Sequence, residues 1–158
     1  MKKKISGKKI AARIVFLIYL AVLFYLLFFS VFTGRSEAHQ EYHYNFIPFE
    51  TIRRYLGLSK PGGSFLRFFN VEGNVLAFLP FGFFLPFLWG RFRRIWRTVL
   101  STALFSLIVE LLQLVTKVGS CDIDDILLNT LGGVIGYLLF LLVRKVTGYP
   151  KKPEKKRH

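Results

Sequence analysis

Six strongly polar side chains lie inside or beside two long apolar stretches in the C-terminal half of the sequence. They are four carboxylic acids and two carboxamides: Glu110, Gln113, Asp122, Asp124, Asp125 and Asn129. An ionisable side chain in the hydrocarbon of a bilayer costs several kcal/mol, roughly 3 by insertion measurements, unless it faces protein partners or trapped water. Carboxyl groups in poorly hydrated surroundings can transfer protons near neutral pH. The cluster is therefore the candidate functional site, with Glu110 and Asp125 as its candidate acid and base.

Helical spacing is expected to bring further polar groups to the same level. Ser106, Glu110 and Gln113 stand at i, i+4 and i+7 of one apolar run and so share a stripe of a predicted helix. The candidate substrate-binding residues are carboxamides and one acid: Asn45, Asn74, Gln113, Asp124 and Asn129.

The three aspartates have a simple structural explanation and a chemical alternative. Asp122 is suited to cap a helix, with Asp125 at the third helical position, where acids are favoured. Three aspartates in four positions exceed what capping requires, and their mutual repulsion predicts an interacting cation or basic side chain. Divalent Mg²⁺ and Ca²⁺ prefer oxygen ligands, so Asp122, Asp124 and Asp125 are the ligands of a divalent cation in the minority interpretation.

The elements that must hold these residues are apolar and long. Hydrophobic residues make up 53% of the 158 positions, more than a soluble domain of this size can bury. Four runs approach the roughly 20 apolar residues that a helix needs to cross a bilayer. They span 14–32, 71–89, 95–115 and 123–143. We predict an all-α polytopic membrane protein, with one four-helix domain over 14–143 between basic segments at 1–13 and 144–158.

The distribution of charge predicts the orientation of these spans. Seventeen of the 23 Lys and Arg residues lie before the first run, around the connection between the second and third, or after the fourth. Basic residues favour the cytoplasmic side, so both termini are predicted to be cytoplasmic. The net charge of +14 is then an orientation signal and a contact with membrane lipids, and nucleic acid is not expected as a partner. The first run is expected to be an uncleaved signal anchor.

The outer connection at 34–70 is not uniformly polar. Phe49, Ile52, Tyr55 and Leu56 recur at i, i+3, i+6 and i+7, which predicts a short amphipathic helix in the outer interface. A turn is expected at 61–64. This loop is predicted to lie on the membrane and cover the acidic cluster.

Proline interrupts the second apolar run. Pro80 and Pro86 leave the carbonyls of Leu76 and Gly82 without helical partners, so this segment is expected to face protein, a simple packing kink being the alternative.

The fourth run contains a Gly-x-x-x-Gly spacing. Gly132 and Gly136 are expected to let another helix of this chain approach closely, with a homodimer contact as the second interpretation. The single cysteine, Cys121, excludes an internal disulfide and is expected to be a small, semi-buried residue.

Three stretches carry a family resemblance. They read Asn-Phe-Ile-Pro-Phe at 45–49, Gly-Asn-Val-Leu-Ala-Phe-Leu-Pro-Phe-Gly at 73–82, and Glu-Leu-Leu-Gln through Asp-Ile-Asp-Asp-Ile-Leu-Leu-Asn-Thr-Leu-Gly-Gly to Gly-Tyr at 110–137. In order and spacing they resemble the VanZ-like family of bacterial membrane proteins. Relatives often carry an aromatic residue or an arginine where this chain has Ser120 and Cys121. If that arginine pairs with the aspartates, Lys117 or a loop arginine must substitute here.

The resemblance implies a location in the bacterial plasma membrane and an association with resistance to the glycopeptide antibiotic teicoplanin. In the first interpretation, the chain binds or processes a lipid or glycolipid of the cell envelope. The alternatives are a proton- or ion-coupled transporter and a structural membrane protein that affects the envelope indirectly. The residues leave open whether the chain is an enzyme.

Overall fold

The computed structural model describes residues 7–29, 44–55, 65–118 and 121–148, and most of them are helical. The α-helices are α1 (Gly7–Phe29), α2 (Glu50–Tyr55), α3 (Phe65–Leu88), α4 (Ile95–Thr116) and α5 (Ile123–Thr147). A 3₁₀ helix, Gly90–Arg93, connects α3 to α4. Within the described residues, α1, α3, α4 and α5 are long and apolar enough to cross a membrane. The prediction of an all-α polytopic membrane protein is thus confirmed.

The observed bounds follow the predicted runs closely on α4 and α5, which begin at Ile95 and Ile123 as expected. Helix α3 begins earlier than predicted, at Phe65, and α1 begins at Gly7. The end of the first run at 30–32, the expected turn at 61–64 and most of the basic tail lie outside the described residues.

One pair of strands was not predicted. Strand β1 (Tyr44–Asn45) pairs in parallel with β2 (Cys121–Asp122), placing Asn45 opposite Asp122. The strand β1 is followed within a few residues by the predicted amphipathic helix, observed as α2. Leu56, the last residue of the predicted pattern, lies outside the described residues. The described part of the outer connection is therefore attached to the start of α5.

Helices α3 and α5 pack backbone against backbone. A Cβ atom added at Gly132 would overlap the carbonyl oxygen of Val75, and one added at Gly136 would overlap that of Leu79. A Cβ at Gly82 would likewise overlap the backbone of α5. The first two pairs ascend together along both helices, which shows that α3 and α5 run parallel. The Gly-x-x-x-Gly spacing therefore serves close packing within this chain, as the favoured interpretation predicted.

The prolines do not interrupt α3, which continues through Pro80 and Pro86. The Tyr19 hydroxyl of α1 donates a hydrogen bond of 2.7 Å to the carbonyl of Ala77. This carbonyl is adjacent to that of Leu76, which was expected to need a partner. Asn74 is buried within the same segment, whereas the Leu76 side chain is 64% exposed. One face of this segment thus packs against protein, and its backbone is partly satisfied by a neighbouring helix.

Apolar clusters attach α1 to the other helices. Leu23 and Leu27 of α1 pack with Phe78 of α3 and Val109 of α4. Nearer the other end of α1, Phe16 packs with a second group on α3. These apolar contacts hold α1 beside α3 and α4. The hydrogen bonds described for α1 form no polar network of comparable size.

Replacing Tyr19 by phenylalanine is expected to lower the melting temperature of the detergent-solubilised protein. The variant loses one interhelical hydrogen bond, which contributes about 0.6–1 kcal/mol in a membrane protein. The matched control is Tyr25→Phe, because Tyr25 is 59% exposed on the same helix. Equal melting temperatures for the two variants would show that the bond to Ala77 does not stabilise α1 against α3.

Candidate functional site

The buried face of α4 is polar. Its buried residues, with one valine among them, are Thr98, Thr102, Ser106, Val109, Glu110 and Gln113. Its exposed positions are largely leucine, isoleucine and valine. This arrangement is the reverse of that in a soluble amphipathic helix and fits a helix surrounded by hydrocarbon. The predicted stripe of Ser106, Glu110 and Gln113 is confirmed.

Thr98 and Thr102 extend this stripe and were missed in the sequence. Continuing the four-residue step back from Ser106 reaches both of them, so the signal was present. The Thr102 hydroxyl donates to the Thr98 carbonyl at 2.9 Å, and the Thr98 hydroxyl donates to the carbonyl of Phe92 at 2.8 Å. Both hydroxyls thus have backbone acceptors. These internal hydrogen bonds stabilise the polar stripe and leave neither hydroxyl group free to react.

Glu110 and Asn129 lie in the same buried interface between α4 and α5. Glu110 is 2% exposed, and its Oε2 atom accepts a hydrogen bond of 3.0 Å from the backbone N–H of Asp122. One turn away on α4, Ser106 Oγ accepts a hydrogen bond of 2.8 Å from Asn129 Nδ2. Asp125, the other candidate acid–base residue, is buried in the first turn of α5. The helices therefore bring these candidate residues to neighbouring levels, away from the exposed surface.

Asp122 is the N-cap of α5, as predicted. Its Oδ1 atom accepts hydrogen bonds from the backbone N–H of Asp124 at 2.9 Å and from Asn45 Nδ2 at 3.3 Å. Its Oδ2 atom accepts a hydrogen bond of 2.6 Å from the Thr51 hydroxyl. The cap thus also connects β1 and α2 to the start of α5. Thr51 was not among the residues singled out from the sequence.

Asp124 caps a different helix. Its carboxylate is fully buried and accepts hydrogen bonds from the backbone N–H groups of Phe49 at 2.6 Å, Thr51 at 2.8 Å and Ile52 at 3.3 Å. These amides belong to the start of α2, where the partial positive charge of a helix favours an anion. Phe49 also has a φ of 65°, which is rare for a bulky residue. Backbone amides therefore stabilise Asp124, where a cation or basic side chain was expected.

The carboxylate oxygens of Asp122 and Asp124 already have hydrogen-bond donors from the protein, which are N–H or O–H groups. Across the described ranges, no group of three or more His, Cys, Asp and Glu side chains is arranged to hold a metal ion. The divalent cation at Asp122, Asp124 and Asp125 therefore stays a prediction.

Three carboxamide side chains of the described residues each have a buried atom without a hydrogen-bond partner. Gln113 Nε2 donates to the carbonyl of Leu27 on α1 at 2.9 Å, so this candidate binding residue also connects two helices. In the described part of the chain, Gln113 Oε1, Asn129 Oδ1 and Asn74 Nδ2 are buried and have no hydrogen-bond partner. An unused buried donor or acceptor costs about 1–3 kcal/mol, so such atoms are usually explained by water, an ion or a ligand. These atoms are the chemically available part of the site.

Cys121 is buried in β2, more completely than expected. Burial raises the pKa of the Cys121 thiol, and the nearby carboxylates of Glu110, Asp122 and Asp125 raise it further. The thiol is therefore protonated at neutral pH and is a poor nucleophile. The expectation that Lys117 or a loop arginine takes the place of the relatives' arginine stays a prediction.

The comparisons with known proteins agree with the resemblance noted in the sequence. Residues 16–144 match the family described as VanZ/LLP1. The chain is 29% identical over 138 residues to "Protein VanZ" of Enterococcus faecium, a match that covers 87% of this chain and 78% of that protein. No solved structure is significantly similar to the chain.

Proposed function

Because this chain belongs to the VanZ/LLP1 family, we propose that it lowers the susceptibility of a bacterium to glycopeptide antibiotics of the teicoplanin type. It is a multi-pass membrane protein, since the family match includes four helices that are long and apolar enough to cross a bilayer. An effect on a glycopeptide is then exerted from within the membrane, at the level of the cell envelope.

The protein is oriented with both termini in the cytoplasm. The separation of charge between the two ends of the bundle supports this orientation. The aspartates lie at the start of α5, whereas Arg91, Arg93 and Arg94 lie between α3 and α4, at the opposite end. Basic residues favour the cytoplasmic side of a membrane. The polar site then opens toward the outer leaflet.

The site binds the polar headgroup of an envelope lipid or glycolipid between α3, α4 and α5. The observation that carries this proposal is the set of buried amide atoms without partners, Asn74 Nδ2, Gln113 Oε1 and Asn129 Oδ1. They are one donor atom and two acceptor atoms, so the acceptors suit the hydroxyl groups of a headgroup and the donor suits a phosphate or hydroxyl oxygen. Asn45 and Asp124 contribute indirectly, because they hold the outer segment over the start of α5.

Binding is better supported than a reaction. Glu110 accepts a hydrogen bond from the Asp122 backbone and so has a structural role at the same time. Glu110 and Asp125 remain the acid–base candidates for any chemistry at this site, because both are buried among polar groups.

The sharpest test is Asn74→Leu. Asn74 Nδ2 is buried without a hydrogen-bond partner, so an apolar side chain of the same branched shape is expected to leave the melting temperature unchanged or raise it. If the amide binds a headgroup, the same variant loses the protection against teicoplanin that the native chain provides. The measurement is the minimum inhibitory concentration in cells with matched membrane levels, together with the melting temperature in detergent.

The control is Leu76→Ala, a change at an exposed position of the same helix. It is expected to leave protection intact. Protection retained by Asn74→Leu would contradict the binding site.

A structural role is the second candidate. Hydrogen bonds from Gln113 to Leu27 and from Asp122 to Glu110 join separate helices, as expected of polar groups that hold a bundle together. In that case protection falls only in variants that also lose stability. The transporter alternative stays a prediction, and it requires substrate-dependent proton flux in sealed vesicles that Glu110→Gln abolishes.

A further inference from the structure

The candidate binding atoms lie where a ligand reaches them only after part of the protein moves. Asn74 of α3 is 6% exposed, and Gln113 of α4 is fully buried. Each has one amide atom for which the described residues offer no hydrogen-bond partner. If a lipid headgroup binds these atoms, a neighbouring element must first move aside. The contacts of the surrounding elements indicate which one.

Helix α5 is held too closely to be that element. A Cβ atom added at Gly132 or Gly136 would overlap the backbone of α3, so these two helices are in direct backbone contact. On its other side, the backbone N–H of Asp122 at the start of α5 donates to the buried carboxylate of Glu110 on α4. Separating α4 from α5 would leave that carboxylate against lipid, which is costly. Helices α3, α4 and α5 therefore form the fixed part of the bundle.

The outer segment at 44–55 is also firmly attached. Its side chains and backbone N–H groups donate hydrogen bonds to the carboxylates of Asp122 and Asp124. Hydrogen bonds to an ionised group are stronger than those between neutral groups. An approach past this segment from the aqueous side would break several of them at once.

Helix α1 is the least attached of the four long helices. In its apolar window 17% of the residues are buried, against 33–39% in the other three. Its contacts are mainly apolar, with Leu23 and Leu27 packed against Phe78 and Val109. Lipid chains are as apolar as leucine and so replace such contacts when a helix moves within the membrane. Helix α1 therefore leaves its neighbours more easily than α3, α4 and α5 leave one another.

Helix α1 also contacts the candidate site directly. The carbonyl of Leu27 accepts a hydrogen bond of 2.9 Å from Gln113 Nε2 on α4. The Tyr19 hydroxyl donates to the carbonyl of Ala77 on α3, one turn from Asn74. Helix α1 thus lies across α3 and α4 on the side of both amides. When it moves aside, the Gln113 amide loses its acceptor, and both its nitrogen and its oxygen become available to a ligand.

We propose that α1 is a lateral gate, which moves away from α3 and α4 within the membrane and admits the ligand to Asn74 and Gln113. The inference rests on the function proposed for this site, to which it adds the route of entry. A headgroup that enters between the helices comes from the leaflet on the side of the aspartates, while its acyl chains stay in hydrocarbon. The ligand is therefore a membrane lipid rather than a water-soluble molecule.

The test locks α1 in place. Leu23 and Val109 lie in one apolar cluster, each one turn before the residue that joins α1 to α4 by the hydrogen bond of Gln113 to Leu27. Leu23→Cys and Val109→Cys are combined with Cys121→Ser and joined by a short, membrane-permeant methanethiosulfonate cross-linker. Cells are treated, washed and briefly exposed to teicoplanin. Survival is expected to fall to that of cells without the protein, and to recover after dithiothreitol reverses the link.

The matched control locks the outer segment instead. Tyr44→Cys is expected to form a disulfide with the native Cys121 under oxidant, because the two residues lie opposite each other in the β1–β2 pair. This lock is expected to leave survival unchanged, as are Leu23→Cys and Val109→Cys alone after the same treatment. Protection lost in the Tyr44→Cys chain but kept with α1 locked would overturn the gate and assign the entrance to the outer segment.

The gate and the proposed function fail in distinguishable ways. If the chain with α1 locked still protects while Asn74→Leu does not, the site is used and α1 is not its gate. A second measurement is independent of the antibiotic and of the buried cysteine pair. Spin labels are attached at Tyr25→Cys and Leu112→Cys, exposed positions of α1 and α4, in a Cys121→Ser chain. In nanodiscs of total bacterial membrane lipids, electron–electron resonance is expected to show a second, longer distance. A single distance would overturn the gate, whichever result Asn74→Leu gives.

Discussion

Gly136→Ala is expected to destabilise the fold strongly, because α3 and α5 are in backbone contact at this position. The new Cβ would overlap the carbonyl oxygen of Leu79 and lie 2.9 Å from the backbone nitrogen of Phe83. Both are backbone atoms, so relief requires α3 and α5 to separate rather than a side chain to rotate. Overpacking in a rigid core costs about 1–3 kcal/mol and occasionally more, and a backbone contact belongs at the upper end of that range. The measurement is the melting temperature in detergent, with the monodisperse fraction from size-exclusion chromatography.

The matched control is Gly73→Ala on α3. A Cβ at Gly73 would meet nothing within 4 Å, so only the helix propensity changes, which favours alanine by roughly 0.5–1 kcal/mol. The two substitutions add the same methyl group, and they are expected to shift the melting temperature in opposite directions. If both variants melt at the native temperature, the close contact between α3 and α5 does not hold the bundle together.

Asp124→Ala is expected to release the outer segment at 44–55 while the long helices remain folded. The change removes the acceptor of three backbone N–H groups at the start of α2. Hydrogen bonds to charged groups contribute about 1.5–3 kcal/mol each, so the loss exceeds what a six-residue helix can restore by its own propensity. Phe49 is then no longer held at a positive φ. Hydrogen exchange is expected to accelerate at Phe49, Thr51 and Ile52.

Two further variants serve as comparisons for Asp124→Ala. Asp124→Asn keeps one acceptor oxygen and loses the charge, so intermediate exchange rates are expected. Leu127→Ala changes an exposed position on the same helix and is expected to leave exchange at 44–55 unchanged. Native exchange rates in Asp124→Ala would show that the β1–β2 pairing and the hydrogen bonds to Asp122 are enough to hold the segment.

The sequence predicted best those structural features that depend on many consecutive residues. Runs of about twenty apolar residues identify spans because the thickness of hydrocarbon sets their length. Helices α4 and α5 accordingly begin where predicted, at Ile95 and Ile123. The Asp122 cap was also predictable, because an N-cap and its helix are adjacent in sequence.

Long-range pairings were not predictable from local patterns. Two-residue strands have no periodicity, so nothing in the sequence marked Tyr44 as the partner of Cys121. For the same reason Asp124 was expected to meet a cation, when its partner is the backbone of a helix more than seventy residues away. The interpretation of a divalent cation considered the three carboxylates but not the N–H and O–H groups that donate hydrogen bonds to them. One of these donors is the hydroxyl group of Thr51, a residue that no sequence pattern singled out.

The polar buried face of α4 also bears on how the chain enters the bilayer during synthesis. When α4 emerges first, Glu110 lacks its partner, the backbone N–H of Asp122, because Asp122 follows α4 in the chain. A charged residue left against lipid costs roughly 3 kcal/mol by insertion measurements. The short connection between Thr116 and Ile123 allows α5 to follow at once. We therefore expect α4 and α5 to leave the translocon together as a hairpin, and we expect truncation of the nascent chain before α5 to leave α4 poorly inserted.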